Sequence, residues 1–461
     1  MNLPLPPFLK VKSISSRDRL LPYNQMIGWA VVIGLLGGFI ATGYFLLLKG
    51  GLYLVWDTIA PAFEAQIHPG WARLISITGI TTLGGILVGM TIKWMKSPGE
   101  ISAVVNNIHI RQGKMDCSKN PSMLVNSLAS IVFGGSAGPE APLVQLVGSS
   151  GSWLGEKLRL HGDLIRTFTF CGMAAALGAF FGAPIGGALF ALEIPHKRGL
   201  EYYEALIPSI TAAVAAFLVF KGLIGYKGAL FPMVEVSDIS FTVVAEGLVL
   251  GIMGAGIAAL FIKIFRWIQN ILKPLQNLPL ILGGTGGLAI GLLAVLVPSD
   301  FPVTALFWSE FQIVELIDGI EAIQSQYTLW GAVGLLSLLA LVKMASIGFT
   351  LHSGFRGGFI FPLFFIGAVL GLALSLATGQ AIPASVAMIG LMAGVNVGVT
   401  KTPVSTSIIL ISLTGLSLFP LVAICSIVSY LCTERIRLIS TQQHRKDNQS
   451  PMHRVWRWKE S

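Results

Sequence analysis

Residues 134–145 read Gly134-Gly135-Ser136-Ala137-Gly138-Pro139-Glu140-Ala141-Pro142-Leu143-Val144-Gln145. A run of small residues ends one apolar segment, and a carboxylate stands where the next helix begins. Glycines let backbone N–H groups approach a ligand closely. The helix that follows aims its positive end at that point, which is where anions bind. Glu140 there either caps the helix or competes with an anion for it. An ionisable group inside lipid-type sequence is costly, and so it marks function by default.

The surrounding sequence is of that type. The 461 residues are 54% hydrophobic and 11% charged, against about 25% charged in soluble domains. So few charges cannot coat a water-soluble body of this size. A spanning helix needs about 20 mostly apolar residues. Residues 26–48 and 74–92 fit, and further apolar runs lie at 164–192, 206–220, 243–261, 280–297, 329–347, 359–376, 386–399 and 404–431. Several are too short or too long for one span, and the chain carries 53 Gly and 23 Pro. A broken helix survives in lipid only where protein or a watery cavity satisfies its backbone, so many breaks predict a substrate path.

The net charge is +9, concentrated at the ends. Residues 1–23 read as a cytoplasmic tail carrying Lys10, Lys12, Arg17 and Arg19, and residues 441–461 as a second basic cytoplasmic tail. A basic membrane flank explains these charges without a nucleic-acid partner. The later tail is too short for a regulatory domain, and the first apolar run is too long for a signal peptide. Cys117, Cys171, Cys425 and Cys432 form no CxxC pair and read as reduced structural thiols. No metal-spaced cluster and no nucleotide motif occurs, so no cofactor is expected.

The chain repeats itself. Residues 174–193 parallel residues 393–412, with Pro184 on Pro403, and residues 138–148 run beside residues 357–367 at nearly the same offset, with Pro142 one place out of step with Pro362. The expected architecture is therefore all-α and integral to the membrane, in two halves of tilted and broken helices, roughly 24–225 and 240–440. Such halves are often inverted, with the binding site between them. Two further breaks precede apolar helices. Ser97-Pro98-Gly99-Glu100 has the form of a capping box. Gly354-Phe355-Arg356-Gly357-Gly358-Phe359-Ile360-Phe361-Pro362 ends in a helix start. Convergence of all three would make an anion site from partial charges, without a fixed full positive charge, firm enough to select and weak enough to release.

At these motifs the sequence resembles the CLC family of chloride channels and chloride/proton antiporters, over residues 24–440. GPEAPLVQ at 138–145 is similar to the family's GREGPxVQ and places Glu140 on the gating glutamate, with Gly138 among the anion-binding residues. SPGE at 97–100 resembles GSGIPE less well, with Ser97 on the anion-coordinating serine. GGFIFP at 357–362 resembles GGxFxP, so that Phe359 and Ile360 supply backbone N–H groups to the anion. The resemblance implies a homodimer with one pore per subunit, and the short tails without a regulatory domain favour a bacterial plasma membrane. It implies chloride as the anion, since members that prefer nitrate carry Pro where Ser97 stands. Two departures bear on proton coupling. Glu193 matches an invariant-type glutamate, which puts Ile194 at the inner proton-carrying glutamate. Ile439 aligns with the central tyrosine on the last helix. Losing both groups points toward channel-like or uncoupled transport, although another carboxylate or water can carry protons.

Alternatives are a secondary transporter of another anion and an intramembrane serine protease. The latter rests on Gly148-Ser149-Ser150-Gly151, a G-x-S-G that chance alone supplies in so Gly-rich a chain. Glu193 reads as a buried carboxylate bonded to backbone, and Lys343 and Lys401 as snorkelling or structural residues.

Overall fold

The computed structural model describes residues 21–95, 101–197, 199–225 and 241–443. Among them the secondary structure is helical apart from two isolated β-bridges. The first half runs α1 (Tyr23–Leu52), α2 (Ala60–Glu64), α3 (Pro69–Met95), α4 (Ile101–Ile110), α5 (Asn120–Val132), α6 (Glu140–Lys157), α7 (Gly162–Phe180), α8 (Pro184–Glu193) and α9 (Leu206–Ile224). The second runs α10 (Phe241–Leu272), α11 (Pro279–Val295), α12 (Glu310–Asp318), α13 (Ile320–Gln326), α14 (Leu329–His352), α15 (Ile360–Ala377), α16 (Ala384–Thr400), α17 (Pro403–Thr414) and α18 (Phe419–Cys432). Seven of the described helical stretches are long and apolar enough to cross a membrane.

The overlong apolar runs break where backbone chemistry demands it. Residues 164–192 divide into α7 and α8 at Gly182, whose φ of 64° ends one helix, and Pro184 opens the next. Residues 404–431 divide into α17 and α18 at Gly415, with φ 105°. Proline suits a first helical turn because its missing N–H would be unpaired there anyway.

The repeat is visible in the packing. α1 packs on α9, α6 on α7 and α7 on α9, just as α10 packs on α18, α15 on α16 and α16 on α18. Equivalent helices of the two halves also meet, and they meet head to tail. Gly85 of α3 lies against Gly283 of α11, while Gly89 lies against Pro279 and Gly291 against Thr78. A side chain at Gly85 or Gly283 would strike the opposing backbone, so this antiparallel crossing needs small residues, as close helix packing in lipid does. α8 and α17 cross in the same sense: Gly186 faces Ile409, and Glu193 reaches the start of α17. Antiparallel pairing of equivalent helices is what inversion of one half requires.

Buried charges hold the breaks together. Glu193 Oε2 accepts from the Ser405 N–H at 2.8 Å and its hydroxyl at 2.6 Å, and Oε1 from the Val404 N–H at 3.2 Å. It is thus the N-terminal anion of α17, contributed by the other half. Glu193→Ala strips three donors of their acceptor, at about 1–3 kcal/mol for each unsatisfied group. Purified Glu193→Ala protein is expected to unfold at clearly lower temperature in a tryptophan-fluorescence melt, with Glu193→Gln between it and the wild type. Neither lysine snorkels. Lys343 Nζ, fully buried, donates to the carbonyls of Ala305, Leu306 and Phe307 at 2.8–3.1 Å. Lys401 Nζ donates to the carbonyls of Gly398 and Thr433 at 2.6 and 2.7 Å. The bond to Thr433 helps close α18, so Ile439, expected on the last helix, lies instead in irregular chain beyond it.

Candidate functional site

The loops before α6 and α15 come from equivalent places in the two halves, and they pair with each other. Gly138 N–H donates to the Gly358 carbonyl at 2.8 Å, and Gly358 N–H to that of Gly138 at 2.6 Å. This bridge sets the first turns of two buried helices side by side. The first N–H groups of a helix have no partner inside it. In α15, Leu363 is the first to bond back, to the Phe359 carbonyl, and Pro362 has no N–H. The donors left at its tip are those of Ile360 and Phe361.

Glu140, the first residue of α6, fills the gap between these tips. It is 2% exposed. Its Oε1 accepts from the Phe361 N–H at 3.3 Å, while Oε2 has no hydrogen-bond partner among the described residues. A side chain at Gly138 or Gly358 would collide with this carboxylate. The slot is shaped around one small, negatively charged group.

One cavity opens onto that slot. Glu140, Phe359, Ile360, Ile194 and Ile439 all line it. Five residues from four separate stretches thus come together, whereas Gly138, expected at the anion, commits its N–H to the Gly358 carbonyl and stands directly behind Glu140. Ser97 lies outside the described residues; Val104 and Val105 of α4 line the cavity. The inner end is apolar: Ile194 and Ile439 offer neither proton nor hydroxyl. Gln442, in the segment beyond α18, donates to the carbonyls of Ile194 and Thr400, both at 2.9 Å.

Two functional features escaped the sequence reading. The donor that meets Glu140 is Phe361, one or two residues beyond the positions named from the motif. Pro362 was the signal, because it removes the next donor and leaves the Phe361 N–H exposed. The second is a correction. Arg356 also lines the cavity, so a basic residue borders a site expected to work by partial charges alone. Arg356 was legible in the third motif, but nothing local showed where its side chain would go. The G-x-S-G serine has no comparable setting. Ser150 lies within α6, and its hydroxyl bonds back to the Leu146 carbonyl at 2.8 Å.

Residues 84–434 match the family described as voltage gated chloride channel. A chloride/fluoride channel protein of Pseudomonas syringae pv. tomato is 27% identical over 390 residues, covering 82% of this chain and 79% of the relative. Among solved structures, a CLC-type fluoride/proton antiporter superposes with a TM-score of 0.75 at 24% identity, over 91% of this chain and 98% of that one. A slow cyanobacterial Cl−/H+ antiporter superposes equally well, with a TM-score of 0.75 at 19% identity, over 91% and 96%. At these identities the superpositions establish the fold.

Proposed function

The chain belongs to the voltage-gated chloride channel family, a family of multi-pass anion transporters rather than enzymes, and we propose from this that it moves chloride past Glu140, which gates the path. The observation that carries the reading is the carboxylate between two helix N-termini, at the head of a cavity. A bound carboxylate and a passing anion need the same donors. With Glu140 ionised, its own charge occupies the slot. Protonation removes the charge, the side chain leaves, and an anion takes its place against the N–H groups of Ile360 and Phe361.

The family resemblance further supports a homodimer with a pore in each subunit. Exposed apolar residues on α8, α9, α17 and α18, such as Ile185, Leu218, Val404 and Ile427, offer a face for it. A bacterial plasma membrane with both basic ends in the cytoplasm is the matching location. Because the Pseudomonas relative is named for chloride and fluoride, fluoride is the second anion to compare.

Anion efflux from vesicles carrying the purified protein tests the function, with chloride and fluoride read by ion-selective electrodes. Chloride is expected to leave faster than from protein-free vesicles; equal rates would dismiss the reading. Arg356→Gln should raise the half-saturating chloride concentration roughly fivefold, the equivalent of about 1 kcal/mol of attraction at short range in water. An unchanged concentration dependence would remove Arg356 from the path.

A further inference from the structure

Position 194, at the inner end of the cavity, holds a side chain that cannot titrate. A buried cluster that can titrate begins two residues later. His196 is 1% exposed, and His109 of α4 is 3% exposed. Their rings meet edge to face, with centroids 5.3 Å apart. His196 Nδ1 lies 2.6 Å from the Leu192 carbonyl, and His109 Nε2 lies 2.8 Å from the Pro195 carbonyl. A carbonyl oxygen only accepts, so those two nitrogens carry the ring protons. In the neutral rings, His196 Nε2 and His109 Nδ1 are then the basic nitrogens.

The outer end of the cluster reaches solvent. Glu201, whose side chain is 18% exposed, places Oε2 3.7 Å from His196 Nε2. Tyr202 packs between the parts, with its ring 5.3 Å from that of His196 and 4.7 Å below the Arg166 guanidinium. Arg166 is bonded to Asp163 at 2.9 Å, so these two charges offset each other. The inner end stops one helical turn short of the residues that line the cavity. Val105 stands one helical turn before His109, on the same side of α4, and lines the cavity with Val104.

We infer that Glu201, His196 and His109 form a proton route between solvent and the cavity beneath Glu140, so that the chain exchanges protons for anions without a carboxylate at position 194. The route rests on the reading of Glu140 as the gate. In the first step the Glu201 side chain closes the 3.7 Å to His196 Nε2, and its O–H bond breaks as an N–H bond forms there, leaving a carboxylate and an imidazolium. That proton passes to His109 Nδ1, directly or through one water. His109 then releases it to cavity water, from which Glu140 takes it up. Only the proton changes place: solvent reprotonates Glu201, both imidazoles return to neutral, and Glu140 ends protonated.

A purely structural role for the two rings would be to satisfy the carbonyls of Leu192 and Pro195. The test preserves those bonds and removes only the titration. An Asn amide can replace the Nδ1 donor, and a Gln amide the Nε2 donor, so the variants are His196→Asn and His109→Gln. In vesicles under a chloride gradient, chloride is followed by electrode and protons by a pH-sensitive dye. The wild type is expected to move protons in constant ratio to chloride. Each variant should lower that ratio by about tenfold or more. Glu201→Gln, at the solvent end, should lower it too, and it decides the matter if a buried variant does not fold. Chloride movement without protons in the wild type, or variants with the wild-type ratio, overturns the route and leaves the anion function standing. A wild type that moves no anion overturns both.

Discussion

Glu140→Gln passes chloride at every pH at the rate that the wild type reaches only in acid. Wild-type Glu140 holds the Phe361 N–H at 3.3 Å, so an anion cannot use that donor until the carboxylate gives it up. Protonation weakens the hold and removes the charge. Flux therefore rises as pH falls, by about tenfold per unit while most copies are ionised, because the protonated fraction grows in that proportion. Gln has the shape of the protonated acid and no titration, so its profile is flat. Glu140→Ala is also flat, with the slot left empty. Chloride efflux measured between acid and alkaline buffers checks both variants. A Gln variant that kept the wild-type slope would place the gate on another group.

Gly138→Ala and Gly358→Ala each drive Glu140 out of its slot. In both positions an added Cβ meets the Glu140 side chain before anything else. Neither glycine has a positive φ, so alanine fits the backbone. The expected phenotype of each is pH-independent flux close to that of Glu140→Ala. The decisive measurement is the double variant. With no carboxylate to strike, Gly358→Ala in the Glu140→Ala background should change flux by less than about twofold, whereas independent effects would multiply. A Gly358→Ala change that cut flux equally in both backgrounds would mean that the glycine serves the loop bridge and not the gate.

Much of this was written locally. Glu140 was found because a carboxylate after Gly and Pro, at the head of an apolar helix, is informative within a few residues. Breaks were announced by overlong runs holding Gly and Pro, whose backbone limits are intrinsic, although not at Gly182 or Gly415 in particular. The repeat was legible because Pro184 and Pro403 open equivalent helices for the same reason. The destinations of long polar side chains were not legible. Lys343 resembles any lysine of an apolar helix until its contacts with the carbonyls of Ala305, Leu306 and Phe307 are seen. Arg356 faces the cavity through a placement that no spacing encodes.

By itself, then, the sequence determined that this chain lies in a membrane, that it is built twice over, that its helices break, and that Glu140 stands at one of the breaks. These follow from hydropathy, proline and glycine geometry, which act over a few neighbouring residues. Only the tertiary structure decided what Glu140 touches. Its partners, Phe361 and Gly358, lie more than two hundred residues away, brought there by the pairing of the two loops. The same holds for Glu193, which caps a helix of the other half, and for His109 and His196, which meet beside the inert Ile194. Hydrogen bonds and charges act through space, and the separation of partners along the chain carries no record of them.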